Sequence, residues 1–255
     1  MNDFARTYGP WAVIAGASEG IGAAFATALA ARGVKLVLIA RRLPELEAFA
    51  ATLATESHCV SLDMASDFSA ALEDACAGRE VGLAIYNAAF APEGAFADDN
   101  LADLERAVAV NCLAPVAFAH AFALPMKQRG RGGIIFMSSL AGFQGSPGIA
   151  VYSATKAFNL VLGEALWKEL GKAGVHVLVC CAGAVRTPSY IRSGRARAPG
   201  QLEPHAVAED TLRALGRGPS IIPGRFNRFA SFVTRRLLPR RVSIAIMESQ
   251  SVTSS

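Results

Sequence analysis

Trp11-Ala12-Val13-Ile14-Ala15-Gly16-Ala17-Ser18-Glu19-Gly20-Ile21-Gly22 runs straight into Ala23-Ala24-Phe25-Ala26-Thr27-Ala28-Leu29-Ala30-Ala31. The first five residues are an apolar run short enough for a buried strand. The glycines follow at once, and the alanine-rich stretch after them reads as a helix. Strand, glycine turn and helix in this order is the context a dinucleotide site needs. The free N–H groups and positive dipole end of the helix can hold a pyrophosphate. Glycine permits the tight turn, the close approach of phosphate and the close packing of helix on strand. The spacing is GxxxGxG rather than the commoner GxGxxG, and by itself it also suits a plain structural turn.

Outward from this stretch, apolar runs alternate with helical ones. Further strands are expected over 35–40, 58–62, 81–86, 133–137, 175–180 and 220–223. Helices are expected over 44–55, 66–77, about 101–129, and from Tyr152 to about Lys172. Such alternation implies an α/β, doubly wound Rossmann fold: a parallel sheet of about seven strands with helices on both faces. No repeat, low-complexity tract or boundary interrupts it, so residues 1–255 are expected to form one domain, with a basic amphipathic C-terminal segment at about 225–247. A chain of 255 residues with 52% hydrophobic and 18% charged residues can bury a substantial core, which excludes disorder.

The uncharged run from Ala107 to Met126 is long enough to span a membrane. It carries Asn111, Pro115, His120 and Pro125 between strand-like segments, so a helix against the sheet is expected instead. The five cysteines form no CxxC pair and read as reduced core residues of a cytoplasmic protein. The four histidines show no ligand spacing, and no metal is expected.

Tyr152 and Lys156 lie four residues apart, and Ser139 thirteen residues before the tyrosine. On a helix, positions i and i+4 share a face. An ammonium beside a phenol lowers the phenol pKa and prepares it to exchange a proton with an alcohol or ketone. Strand two ends in Arg41-Arg42, where an arginine accommodates a 2′-phosphate, so NADP(H) is favoured over NAD(H). Ser18 can add a hydrogen bond to that phosphate; Glu19 weighs slightly against it. Asn111 is a polar amide among apolar residues, and Pro115 lacks the N–H that would bond its carbonyl.

With the glycine loop, Ser139, Tyr152 and Lys156 in this order and spacing, the chain resembles the short-chain dehydrogenase/reductase family from about Gly9 to about Gly224. The resemblance implies a catalytic set of Asn111, Ser139, Tyr152 and Lys156, with Asn111 holding a water that relays protons from Lys156. Ser138 would point into the sheet. It implies a cofactor site from Gly16, Ser18, Gly20, Ile21, Gly22, Arg41, Arg42, Asp63, Met64, Asn87, Tyr152, Lys156, Val185 and Thr187. Asp63 would touch adenine, and Val185 and Thr187 would meet the nicotinamide carboxamide. Two positions depart from the family pattern: Ala89 in Asn87-Ala88-Ala89, and Ala182 before Gly183. Phe90, Leu140, Phe143, Gln144 and Tyr190, with Pro92, Phe96 and Ile191, would line a mainly apolar pocket for a hydrophobic ketone, and Arg192 to Gly200 would form a mobile lid.

Residues 186–241 hold twelve arginines and three acids. Six of those arginines lie between Arg225 and Arg241 among phenylalanines and leucines, an amphipathic helix whose apolar face is expected to pack on the subunit or on a partner subunit. Contact with an anionic membrane or an acidic carrier is the sharper alternative. No nucleic-acid motif accompanies the charge. A homo-oligomer, dimer or tetramer, is implied by the resemblance, through the helices near 101–129 and 152–172. The rival readings are a sugar-nucleotide epimerase or dehydratase, which the chain length and glycine spacing oppose, and a non-enzymatic NADP-binding sensor or interaction protein.

Overall fold

The computed structural model describes residues 3 to 251. A short helix, α1 (Asp3–Tyr8), precedes β1 (Trp11–Ala15), α2 (Gly20–Ala30), β2 (Lys35–Ala40), α3 (Leu43–Ala50) and β3 (Ser57–Ser61). Then come α4 (Ser69–Cys76), β4 (Val81–Tyr86), α5 (Leu101–Val108), a π-helical turn (Ala109–Leu113), α6 (Ala114–Arg129) and β5 (Gly132–Ser139). A 3₁₀ turn (Leu140–Phe143) leads to α7 (Ala150–Gly171) and β6 (Val175–Ala182). The chain continues through α8 (Pro188–Arg192), α9 (Pro204–Ala214), β7 (Ser220–Ile221), α10 (Arg225–Arg236) and α11 (Arg240–Ser251).

The seven strands are all parallel, in the order β3-β2-β1-β4-β5-β6-β7. The chain winds from β1 outward to β3, returns across, and winds the other way from β4. The reversal between β1 and β4 opens a crevice at the carboxyl ends of the strands, where ligands bind in such sheets. Strand alternation sends Ala12 and Ile14 to one face and Trp11, Val13 and Ala15 to the other, into two separate cores. On the first face α2 brings Phe25 and Leu29; on the second α6 brings Phe118 and Phe122. Each such fully buried side chain stabilises the fold by roughly 1.5–3 kcal/mol.

Several boundaries differ from the sequence reading, among them β7, which ends at Ile221. Helix α3 stops at Ala50, because Leu53 packs on the core and Thr55 donates to the Val34 carbonyl at 3.1 Å, drawing the chain back to the sheet. Helix α4 begins at Ser69, and Asp67 accepts from its N–H at 3.1 Å. Strands β5 and β6 each run two residues further than expected, to Ser139 and Ala182, and these two residues are paired. The helix over 101–129 is continuous and apolar enough to cross a membrane by length, yet half of its apolar stretch is buried within the molecule.

The C-terminal segment is two helices, α10 and α11, and of the two packings expected for the apolar face of α10, the one on its own subunit is not made. Its Phe226, Phe229 and Phe232 are 54–67% exposed, while Asn227 and Ser231 are buried. Asn227 holds this orientation by donating to the carbonyls of Gly200 and Pro223 at 3.1 and 3.2 Å.

Candidate active site

The glycine loop fits a phosphate cradle. A Cβ on Gly22 would lie 1.9 Å from the Gly16 carbonyl oxygen, and one on Gly16 would lie 2.8 Å from the Ala88 backbone. Gly20 has φ +61°, and a Cβ there would meet Thr187 Cγ2 at 2.9 Å. The space these side chains would occupy keeps the first turn of α2 open. No side chain caps that turn, so its N–H groups remain available to an anion. Asn87 fixes the loop from β4 by donating to the Gly16 carbonyl at 2.8 Å. Thr187, facing Gly20, caps α8 by accepting from Tyr190 N–H at 3.2 Å. Val185 is bridged to Leu202.

Around the end of β2, Arg41 is exposed and has no salt-bridge partner among the described residues. Arg42 stands 3.8 Å from Glu19 and 3.6 Å from Glu45. Glu19 is gripped by both guanidinium nitrogens of Arg192, at 2.6 and 3.0 Å. Asp63 accepts from Ala65 N–H at 3.0 Å and from Arg106 at 2.7 Å. Burial works to raise the Asp63 pKa, but these donors and the charges of Arg106 and Arg41 outweigh it and hold the carboxyl below its ordinary range. The Met64 side chain is buried in the core, leaving its backbone at the strand end.

The chemistry converges where β5 and α7 meet. Ser139 stands close enough to the Tyr152 phenol to pull its pKa down. Lys156 is buried beside them, its ammonium 5.4 Å from the Tyr152 ring centroid and donating to the Met137 carbonyl at 2.9 Å. Burial raises the Tyr152 phenol, and Ser139 recovers part of the shift. Burial pushes the Lys156 ammonium down to about 8. The expected net lowering of the phenol by the lysine is therefore not found in the protein alone. The ammonium sits toward the ring and is turned to a carbonyl, and the desolvation of both groups dominates.

Two residues that the sequence reading left without a role hold this centre. Ser138 does turn inward, as alternation required, and donates to the Lys156 carbonyl at 2.7 Å, tying α7 to β5. Asn159 donates to the Asn111 carbonyl at 3.0 Å. It lies seven residues after Tyr152 and three after Lys156, on the same helical face, which was the signal available in the sequence. The π-helical turn is the irregularity that Pro115 demands, and the freed Asn111 carbonyl is the one Asn159 takes up. The Asn111 amide is spent on the Phe90 backbone, accepting at 2.9 Å and donating at 2.7 Å, and on Thr155 Oγ1 at 3.1 Å.

Among the expected pocket residues, Leu140 and Phe143 follow Ser139 directly and pack on the second core. Gln144 reaches back to the Leu140 carbonyl at 3.5 Å. Phe90 lies under Arg106, 5.7 Å from its guanidinium carbon. Tyr190 donates to the Ala196 carbonyl at 2.7 Å. Phe96 instead joins Leu101, Leu104, Val108, Leu113 and Val151 in an apolar groove of about 320 Å³. The segment from Arg192 to Gly200 is fastened by Arg192 to Glu19 and by Arg195 to Glu93, besides the bonds of Tyr190 to Ala196 and of Asn227 to Gly200.

The chain is 29% identical to a 7beta-hydroxysteroid dehydrogenase of Clostridium sardiniense over 235 residues, 89% of this chain and 90% of the relative. A solved structure described as giving insights into 7beta-hydroxysteroid dehydrogenase stereoselectivity superposes with a TM-score of 0.90 at 28% identity, covering 97% of this chain and 99% of the other. A short-chain dehydrogenase from Sphingobium yanoikuyae, solved in complex with NADPH, superposes with a TM-score of 0.76 at 32% identity over 84% of this chain and 87% of its own. Residues 10–197 match the family model described as short chain dehydrogenase. The sheet order, the open glycine cradle and the Ser139–Tyr152–Lys156 cluster agree with that match, and the chain belongs to the short chain dehydrogenase family, oxidoreductases of alcohol and carbonyl groups.

Proposed function

We propose that this protein is an NADP(H)-dependent reductase of hydrophobic ketones, with Tyr152 as the general acid in reduction and general base in alcohol oxidation. The observation that carries the reading is the Lys156 ammonium 5.4 Å from the Tyr152 ring, with Ser139 at the carboxyl end of β5 close enough to pull the phenol pKa down. When bound, the nicotinamide supplies the hydride. Tyr152 gives its proton to the oxygen of the reacting carbonyl, and Ser139 donates a hydrogen bond to that oxygen, offsetting the charge that develops there. Lys156 holds the cofactor ribose and passes protons to Tyr152. The buried Oδ1 of Asn159 has no hydrogen-bond partner, which supports a bound water beside Asn111 as the next link of the relay.

Preference for NADP(H) rests on Arg41, an unpaired guanidinium at the β2 end, with Ser18 nearby in the loop. Glu19 no longer opposes it, because Arg192 balances its charge. The NADPH complex of the Sphingobium relative and the hydroxysteroid named for the Clostridium relative support the same cofactor and an apolar substrate. Arg41→Ala is expected to raise the KM for NADPH by about tenfold or more, the loss of one charge-assisted hydrogen bond. The KM for NADH should stay within a factor of about two, since NADH has no 2′-phosphate to lose. Equal effects on both cofactors would remove the argument from Arg41.

The same reading pairs two copies of the chain through α5, α6 and α7, supported by exposed Leu101, Leu113, Leu124 and Val161 and by the apolar groove beside them. The arginines and outward phenylalanines of α10 support a secondary contact with an anionic surface.

A further inference from the structure

Two walls of the crevice come from distant strands and touch. One is the glycine loop after β1; the other is the stretch from Val185 to Arg192 after β6. Strands β4 and β5 lie between β1 and β6, so these strand ends stand roughly 14 Å apart, three inter-strand spacings. The stretch after β6 therefore reaches back past the ends of β4 and β5 to meet the loop. It meets it twice. A Cβ on Gly20 would lie 2.9 Å from Thr187 Cγ2. One residue before Gly20, the Glu19 carboxylate accepts from both terminal guanidinium nitrogens of Arg192, at 2.6 and 3.0 Å. The stretch is braced from within, because Thr187 accepts from Tyr190 N–H and the Tyr190 hydroxyl donates to the Ala196 carbonyl.

A fork of this kind is the best geometry a guanidinium and a carboxylate can make. The pair is also near the surface, with side-chain exposures of 31% for Glu19 and 60% for Arg192. Water can take its place, so it holds weakly enough to open and close. Its acid is otherwise hard to account for. A carboxylate at the start of an anion cradle repels phosphate if repulsion is all it does. Joined to Arg192, it draws one wall of the crevice onto the other.

We propose that the Glu19–Arg192 pair is a strap that closes the stretch after β6 onto the glycine loop and sets how fast the cofactor leaves. Both are positioning residues, acting through the wall they hold rather than on the reacting atoms. The proposal rests on the reading of this crevice as a nicotinamide dinucleotide site, and not on which ketone is reduced.

Glu19→Gln is the decisive variant, because charge and strap predict opposite signs. Removing an acid beside an anionic ligand slows release if only charge matters. Removing one half of a strap speeds it. Release is measured on the full chain by stopped flow, as the loss of bound NADPH fluorescence when excess NADP⁺ displaces it, and again with NADH and NAD⁺. Both Glu19→Gln and Arg192→Gln should release NADPH about three- to fivefold faster, the upper range for an exposed pair. The double variant should be no faster than either single one, since each removes the same contact. Arg197 lies in the same segment, exposed and with no salt-bridge partner among the described residues. Arg197→Gln therefore removes the same charge without the strap, and should change release by less than about 1.5-fold. Unchanged or slower release from a folded Glu19→Gln protein would overturn the strap and leave the cofactor reading standing. So would single effects that add in full in the double variant. A folded wild type that binds neither NADPH nor NADH would end the cofactor reading, and the strap with it.

Discussion

Tyr152→Phe is expected to lower kcat for ketone reduction by about 10³-fold, within the range that a positioned acid contributes. The ring remains, so the packing around Lys156 and the Met137 carbonyl is kept, and NADPH affinity should change by less than about threefold, a small effect beside one lost hydrogen bond. Steady-state kinetics with a fluorescence titration of NADPH separates the two effects. Because burial raises the phenol pKa, Tyr152 stays protonated through neutral pH. Reduction should therefore be level across neutral pH and decline only in the alkaline range. Alcohol oxidation needs the phenolate and should climb as pH rises. A variant that keeps wild-type kcat would show that another group supplies the proton.

Gly22→Ala should be the most damaging change to the fold near the cofactor site. The added Cβ would stand 1.9 Å from a backbone oxygen and 2.7 Å from Asn87 Nδ2, and neither can move without opening the β1–α2 turn. Overpacking of this kind costs about 3 kcal/mol or more. In a chain of this size that lowers the melting temperature by roughly 10 °C, and NADPH binding should be lost with it. Gly33→Ala is the control. Its φ of +75° makes alanine cost about 1–2 kcal/mol, yet nothing lies within 4 Å of the new Cβ, so cofactor binding should survive. Thermal unfolding of both variants, read with cofactor titration, checks the contrast. A Gly22→Ala protein that melts like Gly33→Ala and binds NADPH would refute the cradle.

The sheet was legible because its strands are short apolar runs ended by glycine or charge. Strands β2 and β4 begin and end where those runs do. The Tyr152 helix was legible by its length, and Pro115 marked the π-helical turn. Pairings between distant elements carried no local signal. The grip of Arg192 on Glu19 joins residues 173 apart, and that of Arg106 on Asp63 joins residues 43 apart. Helix periodicity also identifies two faces without saying which is buried. In α10 the phenylalanine face was expected on the subunit or on a partner subunit, and the Asn227 bonds to Gly200 and Pro223 turn the polar face toward its own subunit instead. The phenol pKa misled for a related reason. The i, i+4 spacing places Lys156 beside Tyr152, but the depth of both in the protein decides the direction of the shift.

Deuterium transfer tests the central claim most directly. The protein is incubated with NADPH carrying deuterium at the reactive carbon and with an apolar ketone, and the product is analysed by mass spectrometry. A ketoreductase places one deuterium on the carbinol carbon of the alcohol, and Tyr152→Phe abolishes the product while still binding the cofactor. Tight, stoichiometric NADPH binding with no deuterated alcohol from any apolar ketone would contradict the account and identify the protein as a cofactor-binding sensor.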